Sequence, residues 1–67
     1  MKNNIRDIRK SMNISQEQLA VKCGVTRQTI NAIENDKYDP TLSLAFKLSI
    51  ILDTTVDKLF VFEEDKN

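Results

Sequence analysis

The chain has 67 residues, with ten Lys or Arg balanced by ten Asp or Glu, no His, one Gly, one Pro and one Cys. That length holds one domain with one modest core, burying roughly 60% of its unfolded surface, so stabilisation by dimerisation is expected. The composition gives no disulfide framework, no metal-ligand cluster, no nucleophile with a partner base, no signal peptide and no apolar run of membrane-spanning length; a cytoplasmic non-enzyme without cofactor is expected.

Five helices and a short extended tail follow from the patterning. In the first, Ile5, Ile8 and Met12 recur at spacings of three and four, and Asn13 ends it. The second runs from Gln16 to about Cys23. Ser15 caps it, Ser15-x-x-Gln18 makes a capping box, and Ile14 with Leu19 makes a hydrophobic staple. Cys23 reads as a small buried hydrophobe. Gly24 supplies the positive φ that turns the chain.

The third helix starts after Thr26, with Val25 and Ile30 repeating the staple. Asn35 to Pro40 (NDKYDP) is a polar loop, and Pro40 bars further helix. A fourth helix follows Thr41 and runs to about Leu52, apolar on most of its faces. Such a helix must be covered on most faces, and its side near Phe46 and Ile50 lacks an obvious intrachain cover. Thr54-x-x-Asp57 predicts a capping box for a short fifth helix. Leu59-Phe60-Val61-Phe62 reads as a strand, and Glu63 to Asn67 as a charged end.

Residues 16–35 contain the densest information. The spacing Gln16-x3-Ala20-x3-Gly24-Val25-x4-Ile30-x3-Glu34 matches a helix-turn-helix, whose second helix enters the DNA major groove. Ala20 is small where two helices must cross closely. Val25, Ile30 and Ile33 face the core, leaving Arg27, Gln28 and Asn31 outside. The charge distribution agrees with a nucleic-acid partner despite the zero total. Residues 1–37 carry seven basic against four acidic side chains, a net +3, and residues 38–67 carry three against six, a net −3.

Arg27, Gln28, Thr29 and Asn31 are the candidate reading residues. Arginine pairs bidentately with guanine O6/N7, and glutamine or asparagine with adenine N6/N7. The plainer alternative is a solvated polar face. Gln16 opens the second helix, where a phosphate is favoured, and its amide is placed to brace Gln28. Thr26 combines capping with a candidate phosphate contact. Lys37 and Tyr38 would flank the groove and touch the DNA backbone. Arg9 is expected to reach Glu34 and orient the third helix through a partly buried ion pair.

The words ISQEQLA and GVTRQTINAIENDKYDP and the 42–52 helix strongly resemble the Cro/cI-type (XRE) helix-turn-helix family of phage and bacterial repressors, over roughly residues 3–60. RQTIN and the KY-x-P loop are most similar to short single-domain regulators of the cytolysin-repressor type. That resemblance implies an all-α, five-helix lambda-repressor-like domain and two-fold dimers on a palindromic operator. It also implies phosphate contacts at Gln16 and the Lys37–Tyr38 loop, base readout at Arg27 and Gln28, and an Arg9–Glu34 salt bridge. In the cytolysin-repressor type the termini pair as a small antiparallel sheet, here joining residues 1–3 to 60–62. Asp39 departs from the family pattern, and an acid beside phosphates argues against a groove contact there.

The expected function is a homodimeric repressor of transcription on a double-stranded DNA operator. Residues 46–62 are expected to supply its dimer surface through Phe46, Ile50, Leu59, Phe60 and Phe62. An intrachain minicore is the alternative role for that tail. A protein-interaction module, such as an antitoxin masking a toxin or a partner of a co-regulator, is the rival function.

Overall fold

Four helix ends in this chain are closed by one device, and it sets the whole path. In the computed structural model, which describes residues 1–63, the elements run β1 (Lys2–Asn3), α1 (Ile5–Ser11), α2 (Gln16–Cys23), α3 (Arg27–Glu34), α4 (Leu42–Ile51), α5 (Val56–Leu59) and β2 (Phe60–Val61). Asn13, Gly24, Asp36 and Asp53 follow α1 to α4 with φ of 59°, 72°, 61° and 54°. After each, the next N–H reaches back to close the turn: Ile14 to Arg9 O, Val25 to Ala20 O, Lys37 to Ala32 O and Thr54 to Ser49 O, at 2.9–3.0 Å. These are Schellman closures, in which a left-handed residue lets the last carbonyls find donors. Asn and Asp tolerate that conformation better than other side chains, so the chain needs only one glycine for four such turns.

Helix starts are fixed as firmly. Ser15 Oγ accepts from Gln18 N at 3.0 Å while Gln18 Oε1 accepts from Ser15 N at 2.8 Å, the full reciprocal box. Thr26 and Thr41 cap α3 and α4 by accepting from Thr29 N and Leu44 N. Ile14 and Val25, one residue before each of the first two caps, pack against the core as the staples require.

The expected cap at Thr54 is displaced. Thr54 is spent in the closure of α4, so α5 starts one residue later with Thr55 at the cap position. Thr55 makes no cap bond to the backbone; it hydrogen-bonds Asp57 and, as the largest influence, holds that carboxyl below its ordinary value.

The core gathers Ile5, Leu19, Ala20, Cys23, Ile30, Ile33, Leu44, Leu48, Leu52 and Leu59. Helix α2 packs on both α3 and α4, and α5 packs on α4 and β2. Burial pushes the Cys23 thiol above its ordinary value, against a smaller opposing pull from Lys47, which suits a packing role. Met12 lies just beyond α1 and is exposed rather than part of the core.

β1 and β2 pair antiparallel, with Lys2 opposite Val61 and Asn3 opposite Phe60. The pairing is shorter than expected from the sequence, two residues on each side. Asn4 extends it, donating from its backbone N–H to Leu59 O and from its side chain to Lys58 O. Asn3 Nδ2 donates to Ile33 O at 2.8 Å, so the terminal sheet also ties down the last turn of α3.

Two expectations about the tail change. Leu59, the last residue of α5, is fully buried in the core, which removes it from any partner surface. Phe60 is half-buried against the core. Leu42, Phe46 and Ile50, spaced by four along α4, instead form an exposed stripe, with 70%, 52% and 75% of their surface in solvent. Phe62 is equally open. The end at 64–67 lies outside the described residues.

Candidate nucleic-acid interface

A buried carboxylate organises the outer face of the helix pair. Glu34, at the end of α3, has no side-chain exposure and sits against Arg9 of α1, itself almost wholly covered. Arg9 donates to both carboxylate oxygens, Nε to Oε2 at 2.7 Å and Nη2 to Oε1 at 3.1 Å, and a third donor, Nη1, reaches Ile14 O at 3.0 Å. The expected pair is therefore present and bidentate. Burial alone would raise the Glu34 carboxyl, but hydrogen bonds from Arg9, Gln16 and Arg6 together with the Arg9 charge outweigh it and hold it below the ordinary value.

Two members of this cluster were not anticipated from the sequence. Arg6 Nε donates to Glu34 Oε1 at 3.3 Å and Arg6 Nη2 to Asn35 Oδ1 at 2.9 Å. Asn35 Nδ2 in turn donates to Asn31 O and Asn31 Oδ1. The spacings existed in the sequence, three residues from Arg6 to Arg9 and four from Asn31 to Asn35. Nothing local says which polar pair on a helix face will close into a network.

Gln16 corrects another expectation. Its Nε2 donates to Glu34 Oε1 at 3.1 Å and to Asn31 Oδ1 at 3.2 Å, and it braces these rather than Gln28. A charged acceptor outcompetes a neutral amide for the same N–H. The first residue of α2 is thereby locked to the last half of α3, which fixes the angle between the two helices.

What remains free lies at the start of α3. Arg27 and Gln28 are exposed and project from the first turn. Asn31 is exposed one turn later, while Ile30 and Ile33 face inward. Thr29 is half-buried, and its hydroxyl shares a 3.1 Å hydrogen bond with Thr26. Lys37 and Tyr38 are exposed in the loop after α3. A shallow recess of about 350 Å³ lined by Arg9, Ser15, Gln16, Glu17 and Arg27 lies where α2 begins. Asp39, the acidic departure in the loop, is engaged by the Met1 ammonium at 2.9 Å. That hydrogen bond is the main cause raising the ammonium above its ordinary value, and the pair offsets the carboxylate's charge locally.

The arrangement is two helices locked by a buried charge, with a polar first turn left open. A helix-turn-helix family model matches residues 5–59, most of the chain. The chain belongs to the Cro/cI-type (XRE) helix-turn-helix family. Proteins of this family are DNA-binding transcriptional regulators, not enzymes, and this chain is one.

An uncharacterized HTH-type transcriptional regulator of Methanocaldococcus jannaschii is 47% identical over 66 residues, covering 98% of this chain and 100% of that protein. The restriction-modification controller protein C.AhdI from Aeromonas hydrophila superposes with a TM-score of 0.78 at 30% identity, covering 85% of this chain and 86% of that one. SinR, described as the master regulator for biofilm formation and solved in complex with DNA, gives 0.72 at 31% identity over 79% of this chain and 86% of that one. Among the described residues no helix is long and apolar enough to cross a membrane.

Proposed function

We propose that this regulator is a cytoplasmic repressor that binds a palindromic operator as a homodimer, each protomer inserting the start of α3 into one major-groove half-site. The observation that carries this reading is the contrast within α3: Glu34 is locked inside while Arg27 and Gln28 stand free on the first turn. A stiff helix with free bidentate donors and acceptors suits the edges of base pairs. The solved complex of SinR with DNA supports a nucleic-acid partner for the same fold.

In this reading Arg27 and Gln28 contact bases, and Thr29 and Asn31 border them. Gln16 through its backbone N–H at the start of α2, with Thr26, Lys37 and Tyr38, faces phosphates, where contacts set register without reading sequence. The recess between Gln16 and Arg27 is open enough to take a phosphate group at the positive end of α2. Two protomers meet through Phe46 and Ile50, with Leu42 continuing that stripe, and through the exposed Phe62 and the half-buried Phe60 of the tail. Occupancy of a promoter by such a dimer excludes polymerase, and the chain needs no cofactor to do it.

The test is Gln28→Ala, titrated against its operator and single-base-pair variants. The substitution is expected to cost about 1–3 kcal/mol on the best site and to relax preference at one base pair per half-site. An equal loss on every DNA sequence would remove Gln28 from base readout.

A further inference from the structure

We infer that Asn31 meets DNA as a hydrogen-bond donor only, and so favours a keto base, guanine or thymine, or a phosphate oxygen, and forgoes the bidentate pair with adenine. The inference rests on the DNA-binding role of α3 and narrows it.

The reasoning runs through the polarity of three amides. Glu34 carries an ionised carboxylate, an acceptor with no proton to give. Gln16 therefore has to turn its Nε2 toward Glu34, and that same nitrogen lies 3.2 Å from Asn31 Oδ1. From the other side, Arg6 is a donor with no lone pair to offer. Asn35 has to turn its Oδ1 toward Arg6 Nη2, at 2.9 Å, which leaves its Nδ2 facing Asn31 Oδ1 at 3.2 Å. One acceptor-only anchor and one donor-only anchor thus fix two amides. Both then aim N–H groups at the same oxygen of the third.

Asn31 Oδ1 has two lone pairs, and both are used by these donors. Its Nδ2 donates to no protein atom among the described residues, and the side chain is exposed. A free asparagine pairs with adenine by accepting from N6 and donating to N7. Here the accepting half of that pair is occupied, so adenine keeps only its N7 as a partner and its N6 amino group is left unpaired. Guanine offers N7 and O6, both acceptors, and thymine offers O4. Phosphate oxygens offer the same chemistry without sequence information.

The experiment is selection of bound sequences from a random DNA pool by the wild type, Asn31→Ala and Asn35→Ala, with half-site affinities then measured by titration. The wild type is expected to enrich a keto base at one position, and Asn31→Ala to lose that preference with about a fivefold to tenfold weaker binding. A comparable loss spread evenly over all sequences identifies the acceptor as a phosphate oxygen and supports the donor role equally. Asn35→Ala removes one of the two donors and frees a lone pair on Asn31 Oδ1, so adenine should become tolerated at the keto position.

Loss of an adenine preference in Asn31→Ala overturns the inference, as does an unchanged selection and affinity. A wild type that enriches no sequence overturns the DNA-reading role itself, a distinct failure. Independently of any variant, one Asn31 side-chain amide proton in the wild-type complex should move downfield in a ¹⁵N-edited spectrum when operator is added. Both protons staying at their free positions contradicts the donor role.

Discussion

Glu34→Ala is expected to lower the stability of the free protein by about 3–5 kcal/mol, because it strands the Arg9 guanidinium in the interior without a counter-ion. A domain of this length has roughly 3–10 kcal/mol to lose, so the variant will be partly or wholly unfolded at ambient temperature. Three donors besides Arg9 Nε lose their shared acceptor: Arg9 Nη2, Arg6 Nε and Gln16 Nε2. The double variant Arg9→Met, Glu34→Leu removes both buried charges and should recover part of the loss.

Acid should have the same effect more gently. The Glu34 carboxyl is held below its ordinary value of 4.5 in the fold, so its contribution is complete above that pH and lost as pH falls through the lowered folded value. Urea titrations at pH 7 and at a series of values below 4.5 measure both effects. A Glu34→Ala midpoint indistinguishable from wild type would mean that the pair contributes nothing.

Ile50→Glu is expected to yield a folded monomer whose operator affinity is about 10²–10⁴ lower. The side chain is three-quarters exposed in the isolated protomer, so the substitution leaves the core intact. At a two-fold interface it would bring two like charges into an apolar contact. Losing the dimer then unlinks two half-site contacts, and linkage alone is worth that range in affinity. Phe60→Glu is a poorer probe, since Phe60 is also packed against the core and its loss would perturb the fold itself. Sedimentation equilibrium paired with operator titration reads the outcome. A variant that remains dimeric and binds with wild-type affinity places the interface elsewhere.

The helix-turn-helix was legible because its signals are local. Ser15 and Gln18 write a reciprocal cap within four residues, and Gly24 marks a left-handed turn by the residue type that adopts it most easily. Ile14, Val25 and Ile30 carry the staples that hold each helix start. The Arg9–Glu34 pair was also readable, since two opposite charges lay on faces that a packed first helix must bring together.

What escaped the sequence depends on competition at a distance. Thr54 and Thr55 are equally good caps by composition, and only the closure of α4 decides between them. Leu59 reads as part of an apolar strand until α5 buries it. Gln16 has Gln28, Asn31 and Glu34 as conceivable partners, and the charge of a residue 18 positions away settles the choice. The directions of the Asn31 and Asn35 amides follow from Glu34 and Arg6 together, which no local pattern contains.

A footprint of the first turn of α3 on selected DNA addresses all of this at once. Sequences enriched by the wild type from a random pool should show two inverted half-sites with centres about one helical turn, 10–10.5 base pairs, apart. An Arg27→Ala, Gln28→Ala double variant put through the same pool should lose the half-site preference while remaining folded. If that variant returns the same sequences with the same ranking, the start of α3 does not read base pairs.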